Sequence, residues 1–338
     1  MARRVRLDDV AAAVGVSPAS ASLVLRGAPG PSAATRARVL EAAQRLGYRP
    51  DRAASLLASR RSRLIGLLID VRSAFHAEVA EQLQDAAEDR GYDVVLSTVT
   101  RRRGQARAVE TLLDSRCEAL VLIGPEAPQP DLERLAATVP LVVLCRRLEA
   151  ATGPDVVRTA DQAGTALAVD HLHRLGHTAI AYVDGGIGTI AEDRRDGYLR
   201  AMGERGLAPR VLPSTGPTGP TGTESTGIEA AAHLLDDLPT AVVAFNDRTA
   251  VGLLDALARK GISVPEDLSV VGYDDQPLAR LAHVGLTTVG QDTEALTARA
   301  LDAVVARLDG GREGPGPEQV LDPYLAVRRT TAPPRVSA

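Results

Sequence analysis

The chain has 338 residues, too many for one ordinary hydrophobic core, so two or three domains are expected. Hydrophobic residues make up 45% and charged ones 24%, the balance of a soluble globular protein, and no apolar run reaches membrane-spanning length. The net charge of −4 hides an asymmetry: residues 1–63 hold twelve arginines against Asp8, Asp9, Glu41 and Asp51, a local charge of +8, which leaves −12 on the remainder. A basic head on an acidic body is the distribution expected when only the head meets a polyanion.

Residues 5–27, VRLDDVAAAVGVSPASASLVLRG, read as two short helices joined by a tight turn. Val10, Ala11 and Val14 repeat at helical spacing, and Gly15 with Val16 breaks the pattern. Ser17 then supplies an N-cap with Pro18 at the first helical position, where a missing N–H costs nothing. Ala21, Val24 and Leu25 form the buried face of the second helix. Such a pair is a helix-turn-helix, whose second helix enters the DNA major groove; an ordinary helical hairpin is the plainer alternative. Ser32 caps a third helix running to Leu46, with Val39, Leu40, Ala43 and Leu46 inward and Gly47 at its end. DRAASLLASRRSR, 51–63, is too short to be a stable helix alone and is expected to become one against a partner. Asp8 and Asp9 interrupt the apolar stretch that a signal peptide needs, which predicts a cytoplasmic protein.

From Leu64 apolar runs of strand length alternate with amphipathic helices. Strands are expected at 64–69, 93–99, 119–123 and 141–145, with helices over 75–90, 104–115 and 130–137. A second series has helices at 161–175, 190–205, 225–236 and 247–260, and strands at 179–183, 211–213, 241–245 and 268–273. A helix at 292–309 and apolar segments near 318–321 and 324–328 follow. Near-continuous Val/Ile/Leu strands of this kind predict an α/β fold with parallel sheets covered on both faces. Two doubly wound subdomains in tandem leave a cleft between the carboxyl ends of their strands, where small ligands bind. The Pro/Gly/Thr tract at 213–227 has no apolar face and reads as a mobile surface loop.

Chemistry-bearing constellations are few. His171, His173 and His177 invite a metal, but 171 and 173 point to different sides of a helix that Gly176 ends, so no metal site is expected. DGGIGTIA, 184–191, is a loose dinucleotide fingerprint without the acidic residue that would hold a ribose. There is no nucleophile elbow, no phosphate-binding lysine motif and no catalytic carboxylate pair, and Lys260 is the only lysine. No enzymatic activity and no cofactor are expected. Cys117 and Cys145 read as free buried thiols.

LDDVAAAVGVS, TRARVLEAAQRLGYRP and DRAASLL, followed by NDRTAVGLLDALARKGISVPEDLSVVGYDD at 246–275, resemble the lactose-repressor/galactose-repressor family of transcription factors over about residues 5–330. The resemblance implies a helix-turn-helix three-helix headpiece at 1–50 and a hinge helix at 51–63. A periplasmic-binding-protein-like body follows, with one subdomain at 64–161 and 291–320, another at 162–290 and 321–330, and a tail at 331–338. It implies a homodimeric repressor that reads a pseudo-palindromic double-stranded operator while a small molecule in the cleft sets operator affinity.

Within the headpiece, the resemblance makes Leu7, Ser17, Ser22 and Thr35 operator contacts and puts Pro18, Ala19, Leu23 and Arg26 at base-reading positions. Leu23 stands where many members carry arginine, and Pro18 and Ala19 have no polar groups, so polar readout shifts to Ser20, Ser22 or Arg26. In the hinge, Ala54 and Leu57 match residues that enter the minor groove, Leu57 as the wedge. In the cleft, Phe75, Arg194, Asn246, Asp274 and Gln291 match effector-holding positions. An arginine fork with a carboxylate and amides suits a polyhydroxylated ligand, and the scarcity of aromatics favours a sugar or sugar derivative over a purine. Asn246 as a helix cap and Asp274 as a turn residue are the plainer readings. DVRSAFH, 70–76, replaces the family's Asn-Pro-Phe-Phe, and Cys145 stands where aspartate is frequent. The rival function is a two-lobed sugar-binding protein without a DNA role.

Overall fold

The structure is a computed structural model that describes residues 5–25, 27–48, 61–149, 153–213, 222–310, 314, 316 and 318–335. The chain divides into two compact units, Met1–Ser62 and Arg63–Ala338. Arg26, Ala54 and Leu57 lie outside the described residues, as does most of the expected hinge.

In the first unit α1 (Leu7–Val14), α2 (Pro18–Leu25) and α3 (Ala33–Leu46) enclose a small core of Val10, Ala11, Ala21, Val24, Val39 and Ala42. Gly15 ends α1 at φ 71°, a left-handed conformation that glycine adopts without strain, and α2 leaves at 104° to α1. Ser17 accepts from the Ser20 amide at 3.1 Å and Ser32 from the Thr35 amide at 3.2 Å, so each caps the helix after it. Arg38 donates to the Val14 carbonyl and Arg36 to the Ala28 carbonyl, so two of the headpiece arginines also tie its helices and turns together. The inward face of α3 corrects the expected one. Leu40 is 48% exposed, and Ala42 is buried instead. Val39, Ala42, Ala43 and Leu46 follow i, i+3, i+4, i+7, and Leu40 falls off that stripe.

The second unit holds two six-stranded sheets. The first contains β1 (Leu64–Asp70), β2 (Asp93–Val99), β3 (Ala119–Ile123), β4 (Leu141–Leu144), β5 (Asp155–Thr159) and β11 (Glu318–Leu321). Its strands are all parallel, in the order β11-β5-β4-β3-β1-β2. Helices α4 (Ala74–Asp89), α5 (Gln105–Asp114), α6 (Gln129–Ala136) and α12 (Thr293–Leu308) belong to this lobe. Alternation explains the unbroken apolar runs: Ile65, Leu67 and Val121 enter the core under α4 and α12, whereas Leu68, Leu120 and Leu122 enter the opposite core with α5 and α6. Each such leucine contributes about 1.5–3 kcal/mol by burial.

The second sheet contains β6 (Ile180–Val183), β7 (Arg210–Leu212), β8 (Ala241–Ala244), β9 (Ser269–Asp274), β10 (Thr287–Gly290) and β12 (Tyr324–Ala326), in the order β12-β10-β9-β8-β6-β7. β12 runs antiparallel to β10, an edge exception to the expected parallel sheet. Its helices are α7 (Asp161–Arg174), α8 (Thr189–Glu204), α9 (Glu224–Leu234), α10 (Asp247–Arg259) and the short α11 (Pro277–Arg280). The chain passes between the lobes three times, after β5, after β10 and after β11.

Two further expectations are corrected. β5 and β10 were not expected as strands because Asp155, Arg158 and two threonines interrupt them, yet Asp155 is fully buried against Arg307 of α12. Thr288 of β10 donates its hydroxyl to Asp247 at 2.5 Å. Within the tract at 213–227, residues 214–221 lie outside the described part, but 224–227 open α9 rather than a loop, with Thr226 and Gly227 buried. Residues 331–335 pack on the second lobe: Thr331 meets His171 Nε2 at 2.9 Å, and the Ala332 carbonyl accepts from His177 Nε2 at 2.8 Å. His177 Nδ1 meets Thr240, so both its ring nitrogens serve this packing.

Candidate functional site

The headpiece presents the first turn of α2 outward, with Ser17, Pro18 and Ala19 exposed. Ser17 and Ser20 share a 2.9 Å hydrogen bond, so their hydroxyls hold each other at the start of this helix. Small side chains there leave the helix N-terminus, with its partial positive charge, open to a phosphate. Leu7, Ser22, Leu23 and Thr35 are half-buried. Leu7 packs against the headpiece core, and the Thr35 hydroxyl lies 3.0 Å from Ser32.

In the body, three of the five expected cleft residues, Arg194, Asp274 and Gln291, come together in one hydrogen-bonded cluster. Helix α8 buries Asp193, Arg194, Gly197, Tyr198, Ala201 and Met202 along one stripe, so Arg194 must find partners inside the protein. Its Nε donates to Asp161 at 2.8 Å, one terminal nitrogen to the Phe245 carbonyl at 2.8 Å, and the other to Asp274 at 3.3 Å. The guanidinium stacks on the Tyr273 ring at 3.6 Å from its centroid. Three of its five N–H groups are thereby used, and each terminal nitrogen keeps one donor in a fixed fork. Asp274 also accepts from the side-chain amides of Gln291 at 2.9 Å and of Gln276 at 3.3 Å.

Asp274 sits at φ 108° and Asp275 at φ 51°, left-handed conformations held by this network at the carboxyl end of β9. Asn246 caps α10, accepting from the Thr249 amide and donating to the Gly222 carbonyl, both at 2.9 Å. Phe75, at the start of α4, is 5% exposed in the first lobe's core.

Sequence reasoning missed Asp161, Tyr273 and Asp247. The available signal was position: Asp161 opens a helix just after a strand, and Tyr273 precedes Asp274 at a strand end. Burial raises the pKa of Asp161 and of Asp274 against the opposing pull of Arg194. Asp247, which accepts from the Gln276 amide at 2.7 Å, is raised well above the usual range by burial and by the charge of Asp274. Burial also opposes the Arg194 charge, but Asp161 and Asp274 outweigh it and its pKa rises. The site is thus one cation among buried carboxylates, a mixture of donors and acceptors suited to hydroxyl groups.

The first lobe supplies the facing wall. Cys145, at φ 63° beyond β4, has its thiol pushed up by burial and then by the charges of Asp161 and Asp274. An aspartate there would add a further carboxylate to this crowd. Arg147, two residues on, reaches across to Asp193 at 3.3 Å. At the end of β1 the Asp70 amide donates to His76 Nδ1 at 2.9 Å, and Arg72 forms a two-pronged pair with Asp70 at 2.9 and 2.7 Å.

Burial lowers the His76 imidazole to about 4 from 6.5, despite the nearby Asp70 charge. Between those values the folded state binds fewer protons than the unfolded one, so this group's contribution favours folding more as pH rises from about 4 to 6.5. Thermal melts of wild type and His76→Gln are expected to converge on acidification through this window. Parallel pH profiles would refute the assignment.

Comparison with known proteins gives matches over both units. Residues 6–51 match the model for bacterial regulatory proteins of the lacI family, and 169–331 that for a periplasmic binding protein-like domain. The chain is 31% identical to the HTH-type transcriptional regulator GalR of Escherichia coli (strain K12), covering 98% of this chain and 97% of that one. The lac repressor dimer bound to operator and the anti-inducer ONPF superposes with a TM-score of 0.83 at 28% identity, over 98% of this chain and 100% of that one. The transcriptional regulator CelR in complex with cellobiose gives a TM-score of 0.69 at 28% identity, over 97% and 100%.

Proposed function

Since this chain belongs to the lacI family of bacterial regulatory proteins and is a DNA-binding transcriptional regulator, we propose that it is a dimeric repressor whose operator affinity is set by a sugar or sugar derivative held between its lobes. The carrying observation is the Arg194 fork, fixed by Asp161, the Phe245 carbonyl and Asp274, with two donors left over beside acceptor groups. Gln291 and Asn246 complete the contacts, with Phe75 on the first lobe's side. That the solved relatives include a cellobiose complex and an operator-bound dimer supports both halves of the reading. The basic headpiece counts against a sugar-binding protein without a DNA role. The protein is proposed to act in the cytoplasm, where the operator is.

Reading of the operator falls to the α2 face, Ser17, Pro18, Ala19, Ser20, Ser22, Leu23 and Arg26, with Leu7 and Thr35 as further contacts. Ala54 and Leu57 act in the minor groove. The ligand alters DNA affinity only by favouring one lobe arrangement over another.

A mobility-shift assay on the gene's own upstream region, with and without candidate neutral sugars, tests the reading. Retention without sugar and a sugar-dependent change are expected; no retention would overturn it. Binding is also expected to weaken by roughly 10³–10⁵ between 50 and 200 mM salt if 6–10 phosphates are contacted. Salt-indifferent retention would exclude an arginine-driven grip. Leu57→Ala is expected to weaken operator binding and reduce bending while sparing sugar binding; an unchanged bend angle would show that another residue is the wedge.

A further inference from the structure

A groove of about 410 Å³ lies on the flank of the body, and neither Arg194 nor any of its hydrogen-bond partners lines it. Its floor is a run of alanines from α7 and α8 with Val320 of β11, and its rim carries Arg147, Arg158 and Arg200. We propose that this groove is a second small-molecule site, which takes a compact metabolite bearing an oxyanion, a phosphate or a carboxylate.

The argument is one of unequal donors and acceptors. Asp193, 3% exposed, is the buried acid of the groove, and its oxygens already accept from Arg147 Nε and from the Gln162 amide, each at 3.3 Å. Arg158 places Nε on Glu318 at 2.6 Å and one terminal nitrogen on the Thr159 carbonyl at 3.3 Å. Among the described residues its other terminal nitrogen, both terminal nitrogens of Arg147 and the whole Arg200 guanidinium have no protein acceptor. Glu204 is the one further carboxylate of the lining, and it leans 3.8 Å from Arg205. A ligand that answers this surplus must be rich in acceptors, and paired guanidinium forks select a phosphate or carboxylate. The alanine floor accepts a small apolar or carbohydrate body beside the anion.

The walls also give the site a second property. Arg147, Arg158 and Val320 follow or belong to strands of the first sheet, whereas Gln162, Asp193 and Arg200 stand on helices of the second lobe. An anion that bridges them binds one arrangement of the lobes better than another, and so biases the same equilibrium as a ligand at Arg194.

Titration calorimetry of the full chain with inorganic pyrophosphate and with citrate, at fixed ionic strength, tests the site. At least one probe is expected to bind, the stronger one identifying the favoured oxyanion. Arg200→Glu is expected to lose about tenfold or more in affinity, and Arg200→Lys, which keeps the charge without the fork, to lose less. Arg200 is exposed, so both variants should melt as wild type does. Absence of binding with both probes overturns the proposal. So does equal affinity in Arg200→Glu, which would place the anion on the arginine-rich headpiece or at Arg194. Neutral-sugar binding is measured alongside, so failure of this site is separable from failure of the sugar reading.

Discussion

Arg194→Ala is expected to abolish the response to sugar and to lower stability by about 3–5 kcal/mol, the cost typical of leaving buried charges without their partner. The loss has two origins. Asp161 and Asp274 are both buried, and each has an oxygen on the guanidinium. Removing the cation leaves two desolvated carboxylates, one of which must take up a proton. The stacked face of Tyr273 also loses its partner. Because this variant risks poor folding, Arg194→Lys separates the roles: the charge stays and the fork goes. Calorimetry should then show sugar binding weakened far more than the melting temperature falls. A lysine variant that binds and releases operator like wild type would show that the fork does not hold the ligand.

The second large effect concerns the packing of α9 on α10. A Cβ built on Gly227 would stand 2.0 Å from the Thr249 carbonyl oxygen, and one on Gly252 would stand 2.0 Å from that of Glu224. Both obstacles are backbone, so neither can rotate away. Gly252→Ala and Gly227→Ala are each expected to force the helices apart, at a cost of about 1–3 kcal/mol or more. For a unit of this size that lowers the melting temperature by several degrees. Gly203→Ala in α8 is the control, since nothing lies within 4 Å of its Cβ and alanine favours the helix. Were Gly252→Ala to melt with wild type, the close approach would be wrong.

Legibility from sequence followed the physics of each element. The α/β alternation was readable because both faces of each sheet are buried, which leaves strands such as ALVLI uniformly apolar. β5 and β10 were not readable, because Asp155 is paired with Arg307 and Thr288 hydrogen-bonds to Asp247, residues far away in the chain. Arg194, Asp274 and Gln291 were named from a resemblance, but their mutual bonds span up to 80 positions and no local pattern encodes them. Asp161 escaped for the same reason. Leu40 was assigned inward on hydrophobicity alone, although the helical period placed it outside. Asn246 shows the opposite case: capping was a local reading, and the amide caps α10.

The three passages of the chain between lobes govern the order in which the protein can be built. The ribosome delivers β1 to β5 early, but that lobe lacks α12 and β11 until residues beyond 290 emerge. The other lobe waits for β12 and for the segment through Ala332 that rests on His171 and His177. Neither lobe can close its core until synthesis is nearly finished, whereas the headpiece has all three of its helices long before. A nascent chain stalled near residue 290 should therefore display a folded DNA-binding head on a body still open to chaperones.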